Sequence, residues 1–387
     1  MSQAGPRVVV VGESVAGATT VRRLRALGHT GPLTLVGAEP GGGPNRPPLS
    51  KHVLDGAQHD DTLGHALDGL DIELVRVAAT GLDPAARTLC LADGRALAYD
   101  ALVLATGAEP RRLAGPGQRG ELVLRTLPDA QALRARLDTA RSALVVGSGV
   151  LGMEVASACA RRGVPVTVVD RQPPLERVLG GYLSGLLTAR AEAAGIEVLV
   201  VDGDVALVGD PVSGLRLPDG TVLSADVVVT CAGDTPCTNW LAGTELAGPH
   251  GVHVDEQCRT AVPGIWAVGD VACLDTPCSG RTPFWSQAVA MAGVAAASVL
   301  GLPPSGPPTD DYFWTSVAGT SVKAVGPLPV HGPPDDVEGD PDTGNALLTW
   351  RHDGGPDTVV AHGRPITAGR LRARSRAGAR SSVPAPA

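Results

Sequence analysis

Residues 143–172 read ALVVGSGVLGMEVASACARRGVPVTVVDRQ. The run Ala143 to Val146 is continuously apolar, as suits a strand buried on both faces of a parallel sheet. Gly147, Gly149 and Gly152 follow in G-x-G-x-x-G spacing, then a helical stretch, then a second apolar run that closes on Asp170. Each part answers a physical need. The first glycine allows the tight turn, the second lets backbone approach a pyrophosphate, and the third lets the helix pack on the strand. The helix N-terminus offers N–H groups to phosphate, and the acid accepts ribose hydroxyls. The complete strand–turn–helix–strand–acid unit predicts a dinucleotide site.

An earlier copy departs at one place. Strand RVVVVG (7–12) leads into the turn GESVAG (12–17), the helix ATTVRRLRALG, and a second strand LTLVGAEP (33–40) carrying Glu39. Gly12, Ser14 and Gly17 hold the three glycine positions, and Ser14 is small enough to permit close approach. Two such sites in one chain suggest hydride passing between two dinucleotides. Between the copies lies ALVLATGAEPRR (101–112), a buried strand ending at Thr106–Gly107. Downstream, GIWAVGDVA (264–272) delivers Gly269 and Asp270 at the end of another strand. The simplest topology returns this strand to the first sheet, with the second nucleotide domain inserted between.

Composition narrows the class. A net charge of −8 argues against a general nucleic-acid binder. No apolar run reaches the length of a membrane helix, and the N-terminus passes from a four-valine strand straight into a glycine turn, unlike a signal peptide. A cytoplasmic location is the default expectation. Seven scattered cysteines (90, 159, 231, 237, 258, 273, 278) do not form a secreted disulfide framework, a zinc set or an iron–sulfur ligand set. Cys273 and Cys278 have a spacing a dithiol could use, but they follow the Gly-Asp motif in an expected surface loop. Cys231 and Cys237 follow a strand and are expected to pack rather than react.

Of 32 basic residues only two are lysine, Lys51 and Lys323, and Lys51 closes the segment NRPPLSK (45–51). With GESVAG, LATGAEPR, GSGVLGMEVA and GIWAVGDVA, in that order and spacing, the chain resembles the FAD-dependent pyridine nucleotide oxidoreductases. NRPPLSK and DYFWTSV (311–317) are similar to the ferredoxin reductase branch that serves cytochrome P450s and ring-hydroxylating dioxygenases. The resemblance runs from residue 7 to about 370. It implies an α/β chain with two Rossmann-type domains, an FAD domain over 1–113 and 243–310 and an inserted NAD domain over 114–242. A small α+β C-terminal domain over 311–387 covers the flavin, and the last residues, SSVPAPA, are expected to be disordered. By that likeness Gly12, Ser14, Gly17, Glu39, Arg46, Lys51, Ala105, Arg125, Asp270 and Trp285 contact FAD. Gly147, Gly149, Gly152 and Asp170 hold the nicotinamide nucleotide. Lys51 lies beside the reactive N5 edge of the flavin and Glu154 approaches it, the two forming the catalytic pair. A compact ammonium suits one buried carboxylate or the charge on a reduced flavin better than arginine's planar fork. Asp170 favours NADH over NADPH, because a 2′-phosphate would meet like charge, although Arg171 stands adjacent.

Departures from the family pattern bear on the partner. Pro283 and Phe284 stand before Trp285 where a Glu-His pair is usual, and no acid follows Trp314. The tail carries Arg364, Arg370, Arg372, Arg374, Arg376 and Arg380, either a basic docking edge for an acidic ferredoxin or a frayed, solvated terminus. The leading expectation is an NADH-dependent reductase that passes electrons through FAD to a [2Fe–2S] ferredoxin, and indirectly to a cytochrome P450 or other oxygenase. An NADH oxidase, a reductase of rubredoxin or a small molecule, and a redox-sensing interaction flavoprotein stand as alternatives.

Overall fold

The computed structural model describes residues 5–39, 42–56, 64–275, 281 and 283–381. The chain forms two compact units. Unit 1 comprises residues up to Pro47, Asp60–Glu109 and Asp234–Asp310, and unit 2 comprises Pro48–His59, Pro110–Gly233 and the residues from Asp311 onward.

Unit 1 is organised by a five-stranded sheet in the order Ile265–Ala267, Ala101–Leu104, Val8–Val11, Leu33–Val36, Glu73–Val75, with every pairing parallel. All four valines of the first strand are buried, as expected of an apolar run covered on both faces. The helix Val15–Ala26 follows its turn directly, and the later helix Trp285–Val299 packs against it. The strand Ile265–Ala267 does return to the first sheet, in register with Leu102–Leu104. The reading of RVVVVG and LTLVGAEP was generous at the ends, since the paired strands are Val8–Val11 and Leu33–Val36 and Glu39 lies three residues past the second.

Unit 2 repeats the plan. Its parallel sheet runs Ile196–Val200, Val166–Asp170, Ala143–Val146, Val227–Thr230, and Asp170 is the last residue of its strand. In both units a three-stranded antiparallel excursion (Ala79–Ala98 in one, Ala206–Ser224 in the other) precedes the strand that returns beside the first. Unit 2 also holds a five-stranded antiparallel sheet, Tyr312–Val317, Thr320–Val325, Thr358–His362, Asn345–Trp350, Asp336–Asp340. The tail forms a helix, Ala368–Ser381, and Leu371 on it is fully buried with Val325, Leu347, Val359 and Ala361. Up to Ser381 this anchored helix rules out the frayed terminus, one of the two readings of the arginine-rich tail. The rest of SSVPAPA lies outside the described residues.

Candidate functional sites in the two units

In unit 1 the fingerprint turn is fixed by steric fit. Gly12 has φ of 118°, and a Cβ there would come within 2.0 Å of the Ala105 carbonyl oxygen. A Cβ on Gly17 would strike the Gly12 carbonyl oxygen at 1.8 Å. Gly269, also at positive φ, lets Asp270 approach the same turn, since a Cβ on Gly269 would lie 2.9 Å from that of Ala16. Thus Gly12, Gly17, Ala105 and Asp270 converge at the C-terminal edge of one sheet, the edge at which open α/β sheets bind ligands. Ser14 donates its hydroxyl to the Pro44 carbonyl at 3.1 Å. Glu39 accepts from Arg46 at 2.5 Å through Oε1, while its Oε2 takes no protein donor among the described residues. Trp285 donates its indole N–H to Asn45 at 3.0 Å. A carboxylate oxygen past the second strand with no donor among the described residues, and a turn that excludes side chains, fit the adenosine diphosphate part of FAD. Arg125 belongs to unit 2, where its backbone N–H donates to Asp129 at the start of the helix Leu127–Leu137.

Glu13, which the sequence reading passed over, is 6% exposed and fills the place where a Cβ of Gly37 would stand. Its Oε1 meets Arg76 at 3.2 Å, and its Oε2 has no partner among the described residues.

The unit 2 fingerprint shows the same contacts. A Cβ on Gly147 would sit 2.3 Å from the Cys231 carbonyl oxygen, and one on Gly152 would sit 1.9 Å from that of Gly147. Cys231 therefore plays in unit 2 the part Ala105 plays in unit 1. Burial pushes its thiol up to about 12, so it packs and does not react, as expected. Gly149 differs in kind: its φ is an ordinary −68°, and a Cβ there would meet nothing within 4 Å. Protein packing leaves that position open, which fits a pyrophosphate approaching the backbone. Asp170 is bound on both oxygens. Oδ2 accepts from Ser148 N–H at 2.7 Å and lies 3.0 Å from its hydroxyl, which can donate instead to the Gln172 carbonyl at 2.9 Å, and Oδ1 accepts from the N–H of Arg171 and from Arg177 Nη2 at 2.8 Å.

Lys51 and Glu154 meet in unit 2. Pro47 and Pro48 open a short helical segment instead of a bare turn, because their fixed φ suits a first turn and their missing N–H groups would be unpaired there anyway. The wide turn Leu49–Val53 then presents Ser50 and Lys51 toward the helix Val150–Arg161. Lys51 Nζ lies 2.8 Å from Glu154 Oε1. Thr315 donates to the same oxygen at 2.8 Å, and Ser50 donates to Oε2 at 2.5 Å. Glu154 is 5% exposed, so this carboxylate is removed from water and held by one cation and two hydroxyls. Ser50 was adjacent to a residue already singled out. Thr315 lies in the DYFWTSV segment already singled out, but nothing in the sequence tied it to Glu154, 161 positions away.

The comparisons match this geometry. The pyridine nucleotide-disulphide oxidoreductase family model matches residues 6–292. The chain belongs to that family. It is 34% identical over 329 residues, 81% of this chain and 80% of the other, to the probable ferredoxin reductase CtmF of Castellaniella defragrans. It is 33% identical over 380 residues, 92% and 89% of the two chains, to the benzene 1,2-dioxygenase system ferredoxin--NAD(+) reductase subunit of Pseudomonas putida. Among solved structures it is similar to the covalent putidaredoxin reductase–putidaredoxin complex, with TM-score 0.86, 27% identity, and coverage of 97% and 94%.

Family members with a redox disulfide need a cysteine pair. Cys90, Cys159, Cys231 and Cys258 are free, and Cys159 and Cys258 are buried with thiols pushed up to about 12 by desolvation. Cys278, and with it any pairing with Cys273, lies outside the described residues.

Proposed function

We propose that the chain is an NADH-dependent flavoprotein reductase that passes electrons through FAD to a [2Fe–2S] ferredoxin serving a cytochrome P450 or other oxygenase. The observation that carries this reading is the repeated strand order, with a glycine turn built against a carbonyl at the head of each sheet. One turn receives FAD and the other the nicotinamide nucleotide, with the FAD-binding domain over 1–113 and 243–310 and the NAD-binding domain over 114–242. FAD supplies the exchange between two-electron hydride chemistry and single-electron transfer. Glu39, Arg46 and Asp270 bind the flavin's ribose and ribityl hydroxyls, with Ser14 and Ala105 lining the turn and Trp285 and Arg125 completing the contacts. Lys51 offsets the negative charge gained on reduction, and Glu154, clamped by Ser50 and Thr315, fixes the ammonium. The reaction is placed in the cytoplasm. In support, no helix among the described residues is long and apolar enough to cross a membrane.

The test is the visible spectrum of the purified protein, followed by NADH-driven cytochrome c reduction with and without added [2Fe–2S] ferredoxin. A flavin spectrum and ferredoxin-dependent reduction are expected. Vigorous NADH consumption in air without a partner would instead mark an oxidase. Tight NADH binding with negligible turnover would mark a redox-sensing module, and a colourless protein that FAD does not restore would end every enzymatic reading.

A further inference from the structure

We propose that Arg177, aided by Arg171, makes the nicotinamide site accept a 2′-phosphate, so that NADPH serves as a second electron donor. The proposal rests on the nicotinamide reading of the unit 2 fingerprint and deepens it. An acid at the end of the second strand selects NADH when its oxygens are free to accept the ribose hydroxyls and its charge is unscreened. In unit 1 that condition is met at one oxygen: Glu39 pairs with Arg46 through Oε1 but keeps Oε2 without a protein donor among the described residues. In unit 2 it is not. Asp170 receives the Ser148 N–H on Oδ2 and, on Oδ1, the Arg171 N–H at 2.6 Å and Arg177 Nη2 at 2.8 Å, with the Gln172 N–H farther off at 3.4 Å; the single hydroxyl proton of Ser148 serves either Oδ2 at 3.0 Å or the Gln172 carbonyl at 2.9 Å. A carboxylate has about four lone-pair sites, so three firm donors leave at most one for the ribose hydroxyls, and the Ser148 hydroxyl competes for it.

The charges point the same way. Arg177 is pinned at the end of the strand by two contacts, Nη2 on Asp170 and Nε on Gln172 Oε1 at 2.6 Å. Its side chain is nevertheless 62% exposed, so it keeps donors facing solvent. Arg171 is 64% exposed and, among the described residues, its side chain pairs with an open Asp204 at 3.7 Å, a loose contact that it can exchange. One carboxylate neutralised by one guanidinium, with a second guanidinium beside it, does not repel a phosphate. Planar guanidinium groups match phosphate geometry. Asp170 therefore acts as a positioning residue that ties Ser148 in the glycine turn to Arg177.

The experiment uses the FAD-loaded full chain and compares equilibrium binding of ADP with that of 2′,5′-ADP by calorimetry. Dissociation constants within tenfold of each other are expected. Arg177→Ala should weaken 2′,5′-ADP at least fivefold relative to ADP, Arg177→Lys should recover most of that loss, and Arg171→Ala should act in the same direction more weakly. Wild-type binding of 2′,5′-ADP more than tenfold weaker than ADP overturns the proposal. So does an Arg177→Ala variant that loses both ligands alike, which would mark a purely structural residue. If the wild type binds neither nucleotide, the nicotinamide reading itself fails and takes this proposal with it.

Discussion

Replacing Lys51 with methionine should destabilise the protein more than replacing its partner Glu154 with glutamine, although both break one ion pair. The asymmetry comes from exposure: the Glu154 side chain is 6% exposed, whereas that of Lys51 is 23% exposed. Without the ammonium, a buried carboxylate remains with only the Ser50 and Thr315 hydroxyls. Stranding a buried charge costs about 3–5 kcal/mol, and the two hydroxyl bonds place this case at about 3 kcal/mol. Glu154→Gln leaves an ammonium that reaches water and an amide that still accepts hydrogen bonds, for a cost of about 1–2 kcal/mol. The double variant should fall short of the sum by about 1 kcal/mol or more. Native-state hydrogen exchange in the helix Val150–Arg161 reads these costs locally, which avoids assuming two-state unfolding of a multidomain chain. For Lys51→Met the expected acceleration is about a hundredfold. Equal costs for the two single variants, or additivity within about 0.5 kcal/mol, would refute the reasoning.

Four further outcomes follow from other places in the fold. If Lys51 steadies the reduced flavin, Lys51→Met should also slow anaerobic bleaching of the flavin by NADH and make the flavin harder to reduce; unchanged rate and potential would remove it from the mechanism. Gly149→Ala should leave the melting temperature unchanged but weaken ADP binding to the FAD-loaded protein at least tenfold, whereas Gly152→Ala, facing a carbonyl at 1.9 Å, should fail to fold or melt much lower. His362 is fully buried, with neither ring nitrogen partnered among the described residues, and desolvation and the charge of Arg190 hold its pKa below the ordinary 6.5. The unfolded chain therefore takes up a proton first as pH falls below about 6.5, and unit 2 should lose up to about 1.4 kcal/mol per pH unit from there downward, a slope that His362→Leu removes in urea titrations. Arg370 and Arg376 are exposed and have no acidic partner among the described residues, while Arg364 and Arg374 pair with Glu338. The Arg370→Glu/Arg376→Glu variant should raise the KM for ferredoxin at low ionic strength with little change in kcat, and equal KM values would exclude this helix from docking.

The sequence was most legible where chemistry is local. Each glycine of the second fingerprint sits in one continuous stretch, so the turn, its helix and Asp170 could all be read from spacing. The return of Ile265–Ala267 to the first sheet was legible because a buried strand ending in Gly-Asp has few places to go. The clamp on Glu154 was not, since Ser50 and Thr315 meet it only through packing of segments 104 and 161 residues apart. Asp170 shows a subtler limit. Its position was plain, but the donors on it come from Ser148 and Arg177, and its freedom to accept a ribose depends on them. The arginines of the tail looked like one basic edge, yet in the folded helix some serve Glu338 and Leu371 anchors the core.

The parallel pairing of Ile265–Ala267 with Leu102–Leu104 sets a timetable for biosynthesis. Emerging from the ribosome, the first nucleotide fold shows an unpaired apolar edge at Ala101–Leu104 until some 160 further residues have been translated. The second fold, whose parallel strands span only Ala143–Thr230, can close roughly 35 residues sooner. The later part of the polypeptide thus matures first, and the nascent edge is where a chaperone would be needed and where a truncated product would aggregate.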